Sequence, residues 1–110
     1  MAYNWSPDGV RLINSLYLEY KAPKWAERPA SWARAKVQLT NYITALHAVP
    51  QGVGGIYGAV AIGLWIRFYR SDRNTQSLTP LVTGDPRYHV VRECQNVEAC
   101  VAHIEANHLR

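Results

Sequence analysis

Apolar positions recur along this chain with two different periods. In residues 6–20, SPDGVRLINSLYLEY, Val10, Ile13, Tyr17 and Tyr20 fall on one helical stripe, with Leu12 and Leu16 beside it. Ser6 suits an N-cap, Pro7 a first helical turn and Asp8 the positive end of a helix, so a helix is expected here, stopped by Pro23. A second helix is expected from Pro29 or Ser31 to about His47. Trp32, Ala35, Leu39, Ile43 and Leu46 form its apolar stripe, and Pro50 ends it.

From Val60 the period becomes two. Val60, Ile62, Leu64, Ile66 and Phe68 alternate with Ala61, Gly63, Trp65, Arg67 and Tyr69, the pattern of one long half-buried strand. Its large apolar set faces the core, and Gly63 reads as a bulge. Gly52 to Gly58 reads as a flexible loop leading into it. After a turn at 71–75, residues 76–83 (QSLTPLVT) read as an edge or broken strand, because Pro80 cannot donate to a ladder. GDP (84–86) is a further turn. Residues 87–94 (RYHVVREC) read as a third strand, and Asn96 as the cap of a last helix lined by Val97, Cys100, Val101 and Ile104. The result is one α+β domain over residues 1–110, in the order α-α-β-β-β-α. A three-stranded antiparallel sheet carries the helices on its apolar face.

Charge changes this picture modestly. The net charge is +4 and the pI about 9.3. Residues 1–92 are basic, whereas residues 93–110 hold three Glu against one Arg. Such a field favours nucleic acid or an acidic partner. The uncharged run from Ala48 to Ile66 is broken by Pro50, Gln51 and five glycines, which argues against a membrane span. The N-terminal residues lack the basic and apolar regions of a secretory signal, and two cysteines make no disulfide framework, so a reduced cytoplasmic setting is expected.

The glycine run matches no phosphate motif. Tyr57 occupies the sixth position where a Rossmann fingerprint needs Gly, and no Gly-Lys-Ser/Thr follows. Cys94, Cys100, His103 and His108 do not have zinc-site spacing, and no nucleophile context surrounds either cysteine. No catalytic residue, cofactor or metal ligand is therefore assigned. A small Cys/His enzyme using His89 or His103 is the third-ranked reading.

What the sequence does offer is contact chemistry. Seven Tyr, four Trp and nine Arg are the residue types that dominate interface hot spots. The candidate partner-binding set is Trp65, Arg67, Tyr69, Arg70, Arg73, Tyr57 and Arg87. If the face with Trp65, Arg67 and Tyr69 is open, it suits single-stranded nucleic acid, through stacking and phosphate pairing. If the first expected helix, over residues 6–20, covers it, Trp65 and Tyr69 are core and Arg67 an edge residue. The leading expectation is a non-enzymatic protein that docks on a protein or nucleoprotein partner as an accessory or inhibitory factor. Small phage- or mobile-element-encoded proteins are of this kind. Direct nucleic-acid binding is the alternative.

Overall fold

A computed structural model describes residues 10–13, 16–25, 27–47, 55–72 and 77–107. Among these, six strands form one mixed sheet with a helix on each face. The chain is of the α+β class, but its order is ββαββββα and its sheet is neither three-stranded nor wholly antiparallel.

The first departure is at the start. Where a helix was expected, β1 (Val10–Ile13) and β2 (Leu16–Lys21) pair antiparallel, with Ile13 opposite Leu16. The proposed cap, Ser6 to Asp8, lies outside the described residues. The segment also carries a period of two: Leu16 and Leu18 are buried against one face of the sheet, while Glu19 is buried on the other. Its β-branched and aromatic residues favour strand once neighbours flank it. Those neighbours decide the matter, since β2 is bonded to β1 on one side and to β3 on the other.

The expected second helix is present as α1 (Pro29–His47), with Pro29 in the first position and no N–H left wanting there. Trp32, Ala35, Leu39 and Ile43 are buried as expected; Leu46 is half-buried. The helix carries the chain from β2 to β3 (Gly55–Ile62), which runs parallel to β2. The Gly52–Gly58 loop is thus corrected in its second half, for Gly55 to Gly58 belong to a strand. Gly58 is needed for packing: a Cβ there would stand 2.9 Å from Leu39 Cδ2 and 3.1 Å from Ile43 Cδ1. Glycine lets α1 approach the sheet closely.

The long strand is two strands. β3 and β4 (Trp65–Asp72) form a hairpin joined by Gly63 and Leu64, with Ile62 opposite Trp65. Gly63 has φ +60°, the backbone a two-residue type II′ connection asks of its first residue. It is a turn and not a bulge. The turn shifts the phase, so Trp65, Arg67 and Tyr69 lie on the same face as Val60 and Ile62. Both faces of β3 are buried: Tyr57, Ala59 and Ala61 on one, Val60 and Ile62 on the other. That is why GIYGAVAI is almost continuously apolar.

β4 pairs along its other side with two short pieces, β5 (Leu78–Pro80) and β6 (Tyr88–His89). β5 is the broken edge strand that Pro80 implied. The third strand of 87–94 shrinks to two residues, and 90–93 form turns leading into α2 (Cys94–Asn107). The Glu93 carbonyl accepts from the amides of Asn96 (3.0 Å) and Val97 (3.2 Å), so the helix begins earlier than a cap at Asn96 requires. α2 lays Cys100 and Ile104 on the face that bears Leu16, Leu18, Tyr57 and Phe68. The helices therefore sit on opposite faces, because β2, β3 and β4 each present apolar residues on both. Among the described residues no helix is long and apolar enough to cross a membrane.

Candidate functional site

The α1 side of β4 does not stay open. Tyr69 is 2% exposed and lies within the core that α1 builds on the sheet. The Arg67 guanidinium lies over the Trp32 ring at 4.9 Å, and Lys36 Nζ lies 5.0 Å from the centre of the Tyr69 ring. The sheet face is covered, and Tyr69 is out of reach of a stacking base.

At the rim of this covered face a cleft of about 480 Å³ remains. It is lined by Lys36, Arg67, Arg87, Asp85 and Glu27 around the aromatic wall of Trp32 and Tyr69. Three cations thus face two carboxylates. The Tyr69 hydroxyl donates to Asp85 Oδ2 at 3.2 Å. Asp85 stands in the expected turn after Gly84 with φ +50°, a left-handed backbone that Asp accepts more readily than most residues. Its amide donates to the Val82 carbonyl at 3.1 Å, which fixes the turn. Two buried polar atoms here have no hydrogen-bond partner, Arg67 Nε and Asp85 Oδ1. Such atoms are costly to leave unmade and are rare in folded proteins.

Burial pushes the Tyr69 hydroxyl up to about 12, and the Asp85 carboxylate adds to the rise against a smaller opposing pull from Arg67. Unfolded tyrosine titrates near 10.0. The folded protein thus holds this proton more tightly than the unfolded chain. The associated stability is present below pH 10 and is lost as pH climbs toward 12. Two pH units correspond to a loss on the order of 2–3 kcal/mol. Urea melts at about pH 9 and about pH 11 should show this fall in wild type and a shallower one in Tyr69→Phe. Some slope remains because burial also raises Tyr88. Equal slopes in the two proteins would refute the assignment to Tyr69.

A second surface lies at the hairpin end of the sheet. The Val90 amide donates to the Leu64 carbonyl at 2.8 Å, which sets the β6–α2 connection beside the Gly63–Leu64 turn. Leu64 is 52% exposed and Val91 65%. The Trp65 ring lies beside them with Arg87 at 4.7 Å, Arg92 at 5.5 Å and the His89 ring edge-on at 5.1 Å. His89 also organises the connection: its Nδ1 accepts from the amides of Val91 and Arg92 at 3.3 and 3.1 Å, and its own amide donates to Glu93 Oε1 at 3.0 Å.

The sequence-derived set is thus divided. Trp65, Arg67, Tyr69 and Arg87 come together on one side of the sheet. Arg70 is on the face of β4 that also carries Phe68, half-exposed and paired with Asp72 at 2.9 Å. Tyr57 is not in a loop but in β3, buried beneath α2 with its ring edge against His103 at 6.2 Å. Arg73 lies outside the described residues. Lys36, Asp85, Leu64 and Val91 stand outside the set that the sequence singled out. The GDP turn was the available pointer to Asp85, while Leu64 became visible once the hairpin was known.

Cys94 is exposed and Cys100 buried, and burial pushes the Cys100 thiol up, away from the thiolate that nucleophilic chemistry needs. Among the described residues no three His, Cys, Asp or Glu side chains are grouped to hold a metal ion. The fold and cleft define a small α+β domain with a mixed-charge cleft between α1 and β4. Comparison with protein families, curated proteins and solved structures finds no match.

Proposed function

We propose that this chain is a small non-enzymatic binding protein that docks on a protein or nucleoprotein partner as an accessory or inhibitory factor, using the hairpin end of its sheet. The observation that carries this reading is Trp65 beneath two guanidinium groups and beside the exposed Leu64 and Val91. Exposed aliphatic side chains gain by being covered, and Trp and Arg are the commonest hot-spot residues. A partner with an apolar recess bordered by carboxylates complements such a surface. The tight connection through His89 and Glu93 holds it ready, so little ordering is lost on docking.

The test is a pull-down from lysate of the native cells, with and without nuclease, using wild type and a Leu64→Ser/Val91→Ser double variant. Both side chains are exposed, so the variant should keep the wild-type melt. The expected result is a captured protein that survives nuclease and is lost with the double variant. Capture abolished by nuclease would transfer the reading to nucleic acid. Capture unchanged in the double variant would remove the hairpin end from it.

A further inference from the structure

We propose that the hairpin end and the cleft between α1 and β4 form one docking surface for an extended acidic segment of a partner protein. The segment lays apolar side chains on Leu64 and Val91 and places a carboxylate side chain in the cleft beside Lys36 and Arg87. The inference rests on docking at the hairpin end and adds the chemistry of what docks there.

Arg87 joins the two places. Its guanidinium lies over the Trp65 ring at 4.7 Å, and the same residue lines the cleft. Trp65 and Tyr69 stand four positions apart on one face of β4, about 13 Å along the strand. An extended polypeptide covers that span with about four residues. Lys36 and Arg87 are half-buried at the cleft, whose volume of about 480 Å³ has room for a Glu or Asp side chain. Arg67 adds its charge from beside Trp32. These three cations outnumber Asp85 and Glu27, and one Asp85 oxygen already accepts from the Tyr69 hydroxyl. Arg92 lies over Trp65 at the far end. The balance of charge along the surface thus favours an anion. A guanidinium stacked on a ring keeps the N–H donors at its edge, where they match the two oxygens of a carboxylate.

The observations favour polypeptide over nucleic acid. A single strand binds by stacking its bases on open rings. Here the rings already carry cations: Arg67 on Trp32, Lys36 on Tyr69, and Arg87 and Arg92 on Trp65. A phosphodiester chain brings a charge at every nucleotide. It meets Glu27 and Asp85 in the cleft and has nothing apolar with which to cover Leu64 and Val91. A polypeptide brings isolated carboxylates together with aliphatic side chains.

The experiment is fluorescence anisotropy with three labelled probes. One is a short peptide with two leucines and, about four positions on, two glutamates. The second has glutamine for glutamate, and the third is oligothymidylate of equal length. The glutamate peptide should bind about tenfold tighter than either of the others, and more weakly as salt rises. Lys36→Gln and Arg87→Gln should each weaken it about threefold or more. Arg70→Gln removes a charge from the other face of β4 and should change it less than about twofold. The proposal is overturned if the glutamate peptide does not bind, if oligothymidylate binds as tightly, or if Arg70→Gln weakens binding as much as Arg87→Gln. If the glutamate and glutamine peptides bind alike and both are lost in Leu64→Ser/Val91→Ser, the hairpin end stands and the acidic extension falls. If that double variant binds the glutamate peptide as wild type does, the hairpin end falls and the joined surface with it. The probe comparison uses wild type alone and decides the matter should a variant fold poorly.

Discussion

Replacing Trp32 with Ala is expected to cost the fold about 3–5 kcal/mol, the range for truncating a large buried aromatic. Trp32 is 6% exposed and anchors the first turns of α1 in the core that also holds Tyr69 and Leu78. The loss has two parts. The indole no longer leaves water, and the helix cannot move in to fill the gap, since Ala35 and Leu39 already touch bottom with no exposed surface. Arg67 loses its ring as well and keeps a buried charge with less support. In a domain of this length the melting temperature should fall on the order of 10–20 °C. Trp32→Phe retains a ring under the guanidinium and should lose less than half as much. Denaturant melts of the three proteins check this. A Trp32→Ala variant that melts within a few degrees of wild type would mean that α1 is not seated as described.

The second large effect concerns the contact between α1 and β3. Leu39→Ala should cost about 2–5 kcal/mol, because Leu39 is wholly buried. Gly58→Ala should cost about 1–3 kcal/mol for the opposite reason, overpacking. Its Cβ would meet Leu39 Cδ2 at 2.9 Å, and the Tyr17 carbonyl at 3.3 Å offers no retreat. The two faults oppose each other in space. The double variant should therefore be less destabilised than the two losses added together, with a coupling of about 0.5–3 kcal/mol. Strict additivity in urea titrations would show that the two residues do not meet.

These contacts also explain what could be read from the sequence. The stripe Trp32, Ala35, Leu39, Ile43 lies on a helix long enough that periodicity alone identifies it. Pro80 marked an edge by removing a donor, and GDP marked a turn by its residue types. The segment around β1 and β2 failed because Val10, Ile13, Tyr17 and Tyr20 satisfy a helical stripe while Leu16, Leu18 and Tyr20 satisfy a strand. The choice rests with β3, whose pairing partner Gly58 is 41 positions from Tyr17 in the chain. The hairpin failed for a smaller reason: a two-residue turn through Gly63 continues the alternation with its phase shifted. That shift moved Trp65, Arg67 and Tyr69 from an apparent outer face to the face under α1. The cleft itself was not legible, since Lys36, Arg67 and Asp85 meet through three separate elements.

The outer side of β4 has a consequence for the manner of recognition. β5 bonds to residues 69–71 and β6 to residues 65–66. The Leu81 amide closes on the Phe68 carbonyl at 3.0 Å and the Val90 amide on the Leu64 carbonyl at 2.8 Å. The border that results belongs to a piece of three residues ending in Pro80 and a piece of two. Neither offers a straight row of free amides and carbonyls for another chain to copy. Strand addition, the common route by which an extended peptide joins a sheet, is closed along this border. A visitor at the hairpin end must read side chains, and the same short border denies a seed to edge-to-edge aggregation.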